Sequence, residues 1–218
     1  MNSPQKFCVS VEGNIGSGKT TMCNHIASMY PKDVTLLLEP VEEWQSVEGN
    51  NILELFYNFP QKYAFCFQSF VQLTVLRQYS QQVPTKIKLC ERSLYSARYC
   101  FVRNFRAEGI LNETECAVLN SWFNHLESNF SMKPDAIIYL RTSPEVSYQR
   151  LIQRDRAEET RVSCSYLTKL HNYHEDWLIK KTQGATPPVY VVNGNEDLST
   201  VIQIYDQVAR KVISAGCS

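Results

Sequence analysis

The feature that most constrains this chain is a glycine-rich segment near its amino end. Residues 13–20 read GNIGSGKT and satisfy the pattern G-x-x-x-x-G-K-[ST] in full. An apolar run at 7–11 precedes the segment and helical periodicity over 20–29 follows it, the strand–loop–helix context that the pattern requires. The glycines permit positive φ and bring backbone N–H groups against phosphate oxygens at a helix N-terminus. The segment therefore predicts a nucleotide phosphate site.

Two side chains of the segment have specific roles in such a site. Lys19 is expected to reach the β- and γ-phosphates, and the hydroxyl of Thr20 is expected to hold Mg²⁺. The residues predicted to surround the phosphates are Gly13, Asn14, Ile15, Gly16, Ser17, Gly18, Lys19, Thr20 and Thr21.

Composition narrows the class of protein. The 218 residues are 44% hydrophobic and carry 22 basic and 22 acidic side chains, so one domain spanning 1–218 is expected, with neither nucleic acid nor a membrane surface as a bulk partner. Charged or amide side chains interrupt every apolar stretch, so no membrane span is predicted. The amino end enters a strand pattern at once, without room for a signal or transit peptide. We therefore expect a cytoplasmic protein, with the nucleus left open.

Cysteine and histidine give no sign of a metal site. None of the eight cysteines forms a C-x-x-C pair and most lie in apolar runs, so reduced, core-packed thiols are expected. His171 and His174 stand three residues apart without a third ligand of matching spacing, which favours a surface helix over metal binding.

Strand and helix patterns alternate along the chain. Strands are predicted at 7–11, 34–38, 87–90, 136–140 and 189–192, and helices at 20–29, 60–81, 95–108, 113–129, 142–156, 165–181 and 201–213. The strands are continuously apolar, which is typical of a parallel sheet covered on both faces. The sequence thus predicts an α/β fold with a five-stranded parallel sheet and helices on both sides.

Acidic residues follow two of these strands. Glu39 comes after the second strand, and Glu91-Arg92-Ser93 after the third. Ligands of open parallel sheets bind beyond the carboxyl ends of the strands. A carboxylate beside a transferred phosphate is electrostatically costly unless it takes a proton from a neutral hydroxyl, so Glu39 is predicted to be a general base. The alternative is a solvated loop residue.

The segment from Arg141 to Arg161 carries five arginines in a chain without excess charge. Helical spacing puts Arg150 and Arg154 on one face, with Arg156 just beyond. Such a cluster could close over a triphosphate as a lid and neutralise the charge that develops during phosphoryl transfer. A solvated helix balanced by neighbouring acids is an equally good interpretation of the spacing.

Taken together, these motifs resemble the deoxyribonucleoside kinases, and within them the insect multisubstrate and mitochondrial-type thymidine kinase subgroup. In family order they are VEGNIGSGKTT at 11–21, EPV at 39–41 with Trp44, FQS at 67–69, ERSLYSARY at 91–99 and RDRAEE at 154–159. The resemblance implies a P-loop kinase fold, ATP as phosphate donor, a deoxyribonucleoside as acceptor and a homodimer built through helices.

The resemblance also implies roles for individual residues. Glu39 matches the general base for the 5′-hydroxyl, Arg92 the arginine that contacts that carboxylate and the phosphoryl group, and Glu91 the acid that helps to hold Mg²⁺. Arg150, Arg154 and Arg156 match the arginines of a lid at about 154–163. Asp197, in the Asn-Glu-Asp segment 195–197, matches a loop that contacts the donor's base.

The remaining matches concern the acceptor. Tyr57 and Glu159 match the pair that binds the 3′-hydroxyl, and Gln68 matches the residue that reads the base. The side chains expected around the base are Trp44, Phe56, Phe67, Val71, Val75, Ala97 and Phe101. Deoxycytidine kinase has Asp at the position of Ala97, and members of the subgroup that the chain resembles usually have Met at that of Val75.

Base selectivity follows from amide chemistry. Gln68 can orient its amide to pair with N3–H and O4 of thymine or with N3 and the amine of cytosine, so one pocket accepts both. Val75 is small and leaves room beside the base, which favours tolerance of purines. Gln68 and Lys19 must lie one nucleoside apart for direct transfer, so a product deoxynucleoside triphosphate should span both sites and inhibit by feedback.

Two other classes of protein share part of these signals. A nucleoside monophosphate kinase also has a P-loop and an arginine lid, but Glu39 would repel its anionic acceptor. A regulatory GTPase-like module would carry an Asn-Lys-x-Asp motif, which the sequence lacks.

Overall fold

A computed structural model describes residues 6–217. The elements in chain order are β1 Phe7–Glu12, α1 Lys19–Met29, β2 Val34–Leu37, α2 Val41–Gln45, α3 Ile52–Asn58, α4 Pro60–Ser80, β3 Ile87–Glu91, α5 Leu94–Ser96, a π-helical stretch Ala97–Val102, α6 Arg103–Ala107, α7 Glu113–Asn129, β4 Ala136–Arg141, α8 Pro144–Arg154, a 3₁₀ turn Ala157–Arg161, α9 Cys164–His174, a π-helical stretch Glu175–Ile179, β5 Val189–Asn193 and α10 Leu198–Cys217.

The five strands form one parallel sheet in the order β2-β3-β1-β4-β5. Side chains of successive strand residues enter cores on opposite faces. Val9 and Val11 pack with α1 and α10 on one face, and Cys8 belongs to the core on the other face, which also contains residues of α4, α7 and α9. The predicted five-stranded parallel sheet covered on both faces is confirmed.

Local signals explain several helix boundaries. Asn112 caps α7 by accepting from Glu115 N, and the Glu115 side chain accepts from Asn112 N in return, both at 2.9 Å. Pro60 opens α4, where its missing N–H costs nothing. Helix α8 ends at Asp155, which adopts a left-handed φ of 52°.

Other boundaries differ from the prediction. Helix α10 runs from Leu198 to Cys217 rather than 201–213, and the predicted helix 95–108 contains a π-helical stretch. The predicted helix 165–181 becomes α9 followed by a π-helical stretch that ends at Ile179. Helices α2 and α3 were not predicted, since 5 and 7 residues are too short for clear periodicity.

The prediction that both histidines of α9 lie on a surface helix is wrong for His174. Its side chain is fully buried and its ring is parallel to that of Tyr139, with centroids 6.0 Å apart. His174 Nδ1 lies 2.7 Å from the Leu170 carbonyl oxygen, and burial lowers the pKa of the imidazole to about 3. Neither histidine belongs to a metal cluster, since the described residues contain no group of three or more metal-binding His, Cys, Asp or Glu side chains.

None of the helices within residues 6–217 is both long enough and apolar enough to cross a membrane.

Candidate active site

The glycine-rich loop lies between β1 and α1, where its backbone is held close to other strands and helices. Gly13 has a φ of +150°, and a Cβ there would come within 2.6 Å of the Leu140 carbonyl oxygen, so only glycine fits. Lys19 is buried and donates from Nζ to the Asn14 carbonyl oxygen at 2.8 Å. Burial and the nearby Arg92 lower the pKa of Lys19 to about 8. The loop therefore presents a desolvated cation and a helix N-terminus, a combination that binds phosphate.

Thr20 and Glu91 meet beside this loop. The Thr20 hydroxyl donates to the two carboxylate oxygens of Glu91 at 2.9 and 3.1 Å. A hydroxyl oxygen and a carboxylate are hard oxygen donors of the kind that Mg²⁺ takes together with phosphate oxygens and water. The residues present thus fit the ion that the P-loop implies.

The acidic side chain after β2 meets the basic one after β3. Arg92 Nε lies 3.0 Å from Glu39 Oε1, and Arg92 Nη1 donates to the Gly13 carbonyl oxygen at 2.9 Å. The guanidinium lies 5.0 Å from the centroid of the Phe101 ring. Burial raises the pKa of Glu39, and Arg92 opposes that shift. Glu39 is therefore an ion-paired residue of a cavity rather than a solvated loop residue.

Arg92 has an unusual backbone, with a φ of 67°. The next residue, Ser93, caps α5, and its hydroxyl donates to Glu12 Oε1 at 2.6 Å. Glu12 is fully buried and its pKa is raised by burial. A left-handed conformation costs a non-glycine residue free energy, so these contacts hold Arg92 in place against strain.

One cavity of about 1000 Å³ connects the phosphate loop with Glu39, Arg92 and an aromatic chamber. Of the residues predicted from the sequence, it is lined by Ile15, Gly16, Gly18, Lys19, Thr20, Thr21, Glu39, Trp44, Phe56, Tyr57, Phe67, Gln68, Val71, Val75, Glu91, Arg92, Ala97, Phe101, Arg150, Arg154, Arg156 and Glu159. The structure therefore brings these segments, which are distant in sequence, to one cavity.

The aromatic chamber is well packed around a single buried amide. The rings of Phe56 and Phe67 stack with centroids 5.0 Å apart, and Trp44 meets Phe67 edge-on at 5.4 Å. Gln68 is 2% exposed, and its Oε1 accepts no hydrogen bond from the described residues. A buried amide oxygen without a protein partner is costly unless a ligand completes its hydrogen bonding.

The arginine segment forms the opposite side of the cavity. Arg154 pairs with Glu159 through Nη2 and Oε2, and Arg156 Nη1 lies 3.0 Å from the other carboxylate oxygen of Glu159. Arg150 Nη1 donates to the carbonyl oxygens of Gly194 at 2.7 Å and Ser17 at 3.2 Å. All three arginines line the cavity, and Arg150 contacts the phosphate loop at Ser17, which favours the lid interpretation.

Four predicted residues lie outside the cavity lining. Gly13, Asn14 and Ser17 belong to the phosphate loop but do not line the cavity. The Asp197 carbonyl oxygen accepts from Val201 N at 2.9 Å in the first turn of α10. The proposed contact between Asp197 and the donor's base stays a prediction.

Sequence reasoning missed several residues that line the cavity. They are Leu53, Gln78, Phe105, Gln153 and Tyr166, together with residues of the loop after β2. Gln78 could have been found, because it continues the helical spacing of Gln68, Val71 and Val75. The others are brought in by α3, α6, α8 and α9, whose packing no local pattern reveals.

Comparison with known proteins agrees with this arrangement. The family model for deoxynucleoside kinases matches residues 9–217. The chain is 36% identical to human mitochondrial thymidine kinase 2 over 211 residues, which is 96% of this chain and 79% of that protein. It is 34% identical to mouse deoxycytidine kinase over 238 aligned positions, 89% of this chain and 91% of the relative, and 33% identical to the bovine enzyme, 87% and 84%.

A parallel sheet with a phosphate loop, an acidic residue at a neighbouring strand end and an arginine lid defines a P-loop kinase. The chain belongs to the deoxynucleoside kinase family. It is a transferase that phosphorylates deoxynucleosides with a nucleoside triphosphate as donor.

Proposed function

We propose that this chain transfers the γ-phosphoryl group of ATP to the 5′-hydroxyl of deoxyribonucleosides in nucleotide salvage, with thymidine and deoxycytidine as favoured acceptors. Residues 1–218 would act as a single kinase domain, with a lid at about 154–163. The observation that carries the proposal is the Glu39–Arg92 pair at 3.0 Å in the cavity that also holds Lys19 and Gln68. A neutral hydroxyl needs a base, whereas a phosphate acceptor would be repelled by one.

The chemistry follows from the positions of these groups. Glu39 accepts the proton of the 5′-hydroxyl as the oxygen attacks, and Arg92 orients that carboxylate and faces the transferred group. Lys19 and the arginines at 150, 154 and 156 stabilise the negative charge that spreads over the phosphoryl oxygens. Thr20 and Glu91 would hold Mg²⁺, which neutralises phosphate charge when bound. Tyr57 and Glu159 bind the 3′-hydroxyl.

Selectivity for the base is assigned to Gln68. Its unpartnered Oε1 can accept from thymine N3–H or from the cytosine amine, and its amide N–H group can donate to the complementary acceptor. Val75 and Ala97 are apolar and line the same cavity, which leaves room for the thymine methyl group and favours tolerance of purines.

The direct test is a radioactive-phosphate transfer assay with Mg²⁺-ATP. Acceptors are thymidine, deoxycytidine, deoxyadenosine, thymidylate and none, and the control protein is Lys19→Met. Label should enter the nucleosides, not thymidylate, and the control should be inactive. Transfer to thymidylate alone would identify a monophosphate kinase, and hydrolysis without any acceptor would identify a nucleotide switch; either result contradicts the proposal.

Feedback regulation is proposed at the same site. The single cavity joins Gln68 to Lys19, so a deoxynucleoside triphosphate whose base occupies the acceptor chamber can extend its phosphates into the loop. Such a product competes with the donor.

A homodimer is proposed through α4 and α7. These helices pack on each other, and their outer surface carries Leu73, Val118 and Trp122, of which Trp122 is 54% exposed. Exposed large apolar side chains on adjoining helices are typical of an interface. The second copy of the chain is the proposed occupant.

The cytoplasm is the proposed location. All eight cysteines are free, and the sulfurs of Cys8 and Cys90 approach to 3.9 Å without a bond, which supports a reducing compartment. Human thymidine kinase 2 is mitochondrial by name, so the test is fractionation of cells that express the native gene. Recovery with a matrix marker would contradict the proposal.

A further inference from the structure

One side of α4 lines the cavity from Phe67 to Gln78. Gln68, Val71, Val75 and Gln78 follow each other at spacings of three or four residues, all are buried, and all line the cavity. The first three are proposed to contact the base. Gln78 is one turn further along, beside the loop that follows β2, and has no role so far.

Three contacts join α4 to the segment after β2, which comprises the loop with Glu39 and helix α2. Trp44 Nε1 donates to Thr74 Oγ1 at 3.1 Å, and Glu43 forms an exposed ion pair with Arg77 at 3.0 Å. The third contact is a hydrogen bond from Gln78 Nε2 to the Leu38 carbonyl oxygen. Of the three, only this last contact is made to the residue directly before Glu39.

The backbone that carries Glu39 lies beyond the end of the strand. Strand β2 ends at Leu37 and pairs only with β3, so Leu38 and Glu39 have left the sheet ladder where the carboxylate must be placed. Pro40 follows and has no N–H to donate. Displacement of a reacting group by about 1 Å can cost a factor of about 10² in rate. A rigid contact next to the general base, Glu39, therefore has direct catalytic value.

We propose that Gln78 is a positioning residue for the Glu39 carboxylate, acting through the Leu38 carbonyl. The same helix carries the residues that contact the nucleobase. Through this hydrogen bond it also fixes the position of Glu39 relative to Arg92 and to the acceptor hydroxyl. The inference rests on the proposed function, in which Glu39 is the base.

A positioning role for Gln78 predicts a change in the pH dependence of kcat. The charged or titratable groups near Glu39 are Arg92 and Glu91 at the end of β3, Lys19 of α1, Arg156 of the lid and Tyr57 of α3. Arg92 is the strongest influence that lowers the pKa of Glu39. If loss of the Gln78 bond loosens the Glu39–Arg92 pair, the acidic limb of kcat moves to higher pH.

The test compares Gln78→Met with Arg77→Met. The first variant keeps the length of the side chain but removes the donor, and the second removes the exposed ion pair between α4 and the same loop. We expect kcat of Gln78→Met to fall about tenfold and the thymidine KM to change by less than about twofold. The reason is that the position of the general base, Glu39, affects the transition state more than it affects nucleoside binding. Arg77→Met should keep the wild-type kcat and limb.

Melting temperature and the pH profile separate this role from simple support of the fold. Should Gln78→Met fail to fold, Gln78→Asn, which is too short to reach the carbonyl, takes its place. A lower melting temperature with an unchanged kcat, or a lower kcat with an unmoved acidic limb, overturns the inference. A fully active Glu39→Gln variant would show that Glu39 is not the general base, which contradicts the proposed function itself. An inactive Glu39→Gln beside a wild-type-like Gln78→Met overturns the positioning role alone.

Discussion

Arg92 Nε lies 3.0 Å from Glu39 Oε1, which joins the carboxyl ends of two neighbouring strands, β2 and β3, across the floor of one cavity. The pair leaves 24% of the Glu39 side chain exposed and only 7% of Arg92. The carboxylate is therefore the member that an incoming hydroxyl can reach, and the guanidinium is the member that fixes it.

Replacement of the proposed base should abolish turnover without abolishing binding. In Glu39→Gln the amide cannot take the hydroxyl proton, so kcat should fall by about 10² to 10⁴. Steady-state kinetics with thymidine and a direct binding measurement check this. Glu54→Gln on α3, whose side chain is exposed and outside the cavity lining, should retain wild-type kcat. Near-normal turnover in Glu39→Gln would place the base elsewhere.

Two small side chains should set the pyrimidine preference. Ala97 and Val75 are 5% and 7% exposed and line the cavity. Ala97→Asp with Val75→Arg should fill the space for the thymine methyl group and pair the new charges with each other, because a single buried charge would lack a partner. The thymidine to deoxycytidine ratio of kcat/KM should fall at least about tenfold, about 1.4 kcal/mol of discrimination. An unchanged ratio in the folded double variant would mean that these side chains do not face the base.

Feedback inhibition is a kinetic prediction. Thymidine triphosphate should compete with ATP, because its phosphates would occupy the loop around Lys19 while its base occupies the chamber of Gln68. Initial rates at several ATP concentrations should give lines with a common maximum velocity. No inhibition by millimolar thymidine triphosphate at subsaturating ATP would contradict the prediction.

The proposed dimer depends on an exposed aromatic side chain. Trp122→Glu places a charge in the apolar surface of α4 and α7 and should convert a dimer of this chain to a monomer, because an unpaired carboxylate is costly to bury there. Light scattering measures the mass. Ile152→Glu on α8, at a residue 56% exposed, is the matched control and should remain dimeric. A wild-type protein of monomer mass would contradict the proposal.

His174 should make folding stability depend on pH. Burial lowers its pKa from 6.5 to about 3, so the folded state keeps it neutral while the unfolded chain takes up a proton. Its contribution to stability is complete above pH 6.5 and is lost as pH falls toward 3, amounting to about 2 kcal/mol between pH 7 and 5.

Denaturant unfolding at both pH values checks this sign. His174→Gln should show a shallower loss of stability with falling pH, because Gln takes up no proton. Equal slopes for wild type and His174→Gln would show that His174 does not contribute.

Local sequence signals specified most of the sheet and the phosphate loop. Continuous apolar runs located all five strands within about one residue, because strands buried on both faces tolerate few polar side chains. The same logic failed for α2 and α3, whose shortness hides their period, and at Ala97–Val102, where tertiary packing imposes a π-helical stretch on a helical pattern.

Long-range contacts of the site were less accessible. Spacing alone did not decide whether Glu39 is a general base or a solvated loop residue. Its ion-pair partner, Arg92, comes from the end of another strand. The fully buried Glu12 escaped notice because the Ser93 hydroxyl that donates to it comes from 81 residues away. His174 was misplaced since a stripe of three-residue spacing does not say which side of a helix faces the sheet.

The bond of Glu159 to both lid arginines has a thermodynamic consequence. Arg154 and Arg156 both pair with the single carboxylate of Glu159, so a triphosphate that recruits them must compete with Glu159. A nucleoside whose 3′-hydroxyl binds Glu159, as proposed, would change the strength of that competition. The proposed roles therefore predict that the affinities for donor and acceptor are energetically linked through Glu159, each substrate altering the binding of the other by the same factor.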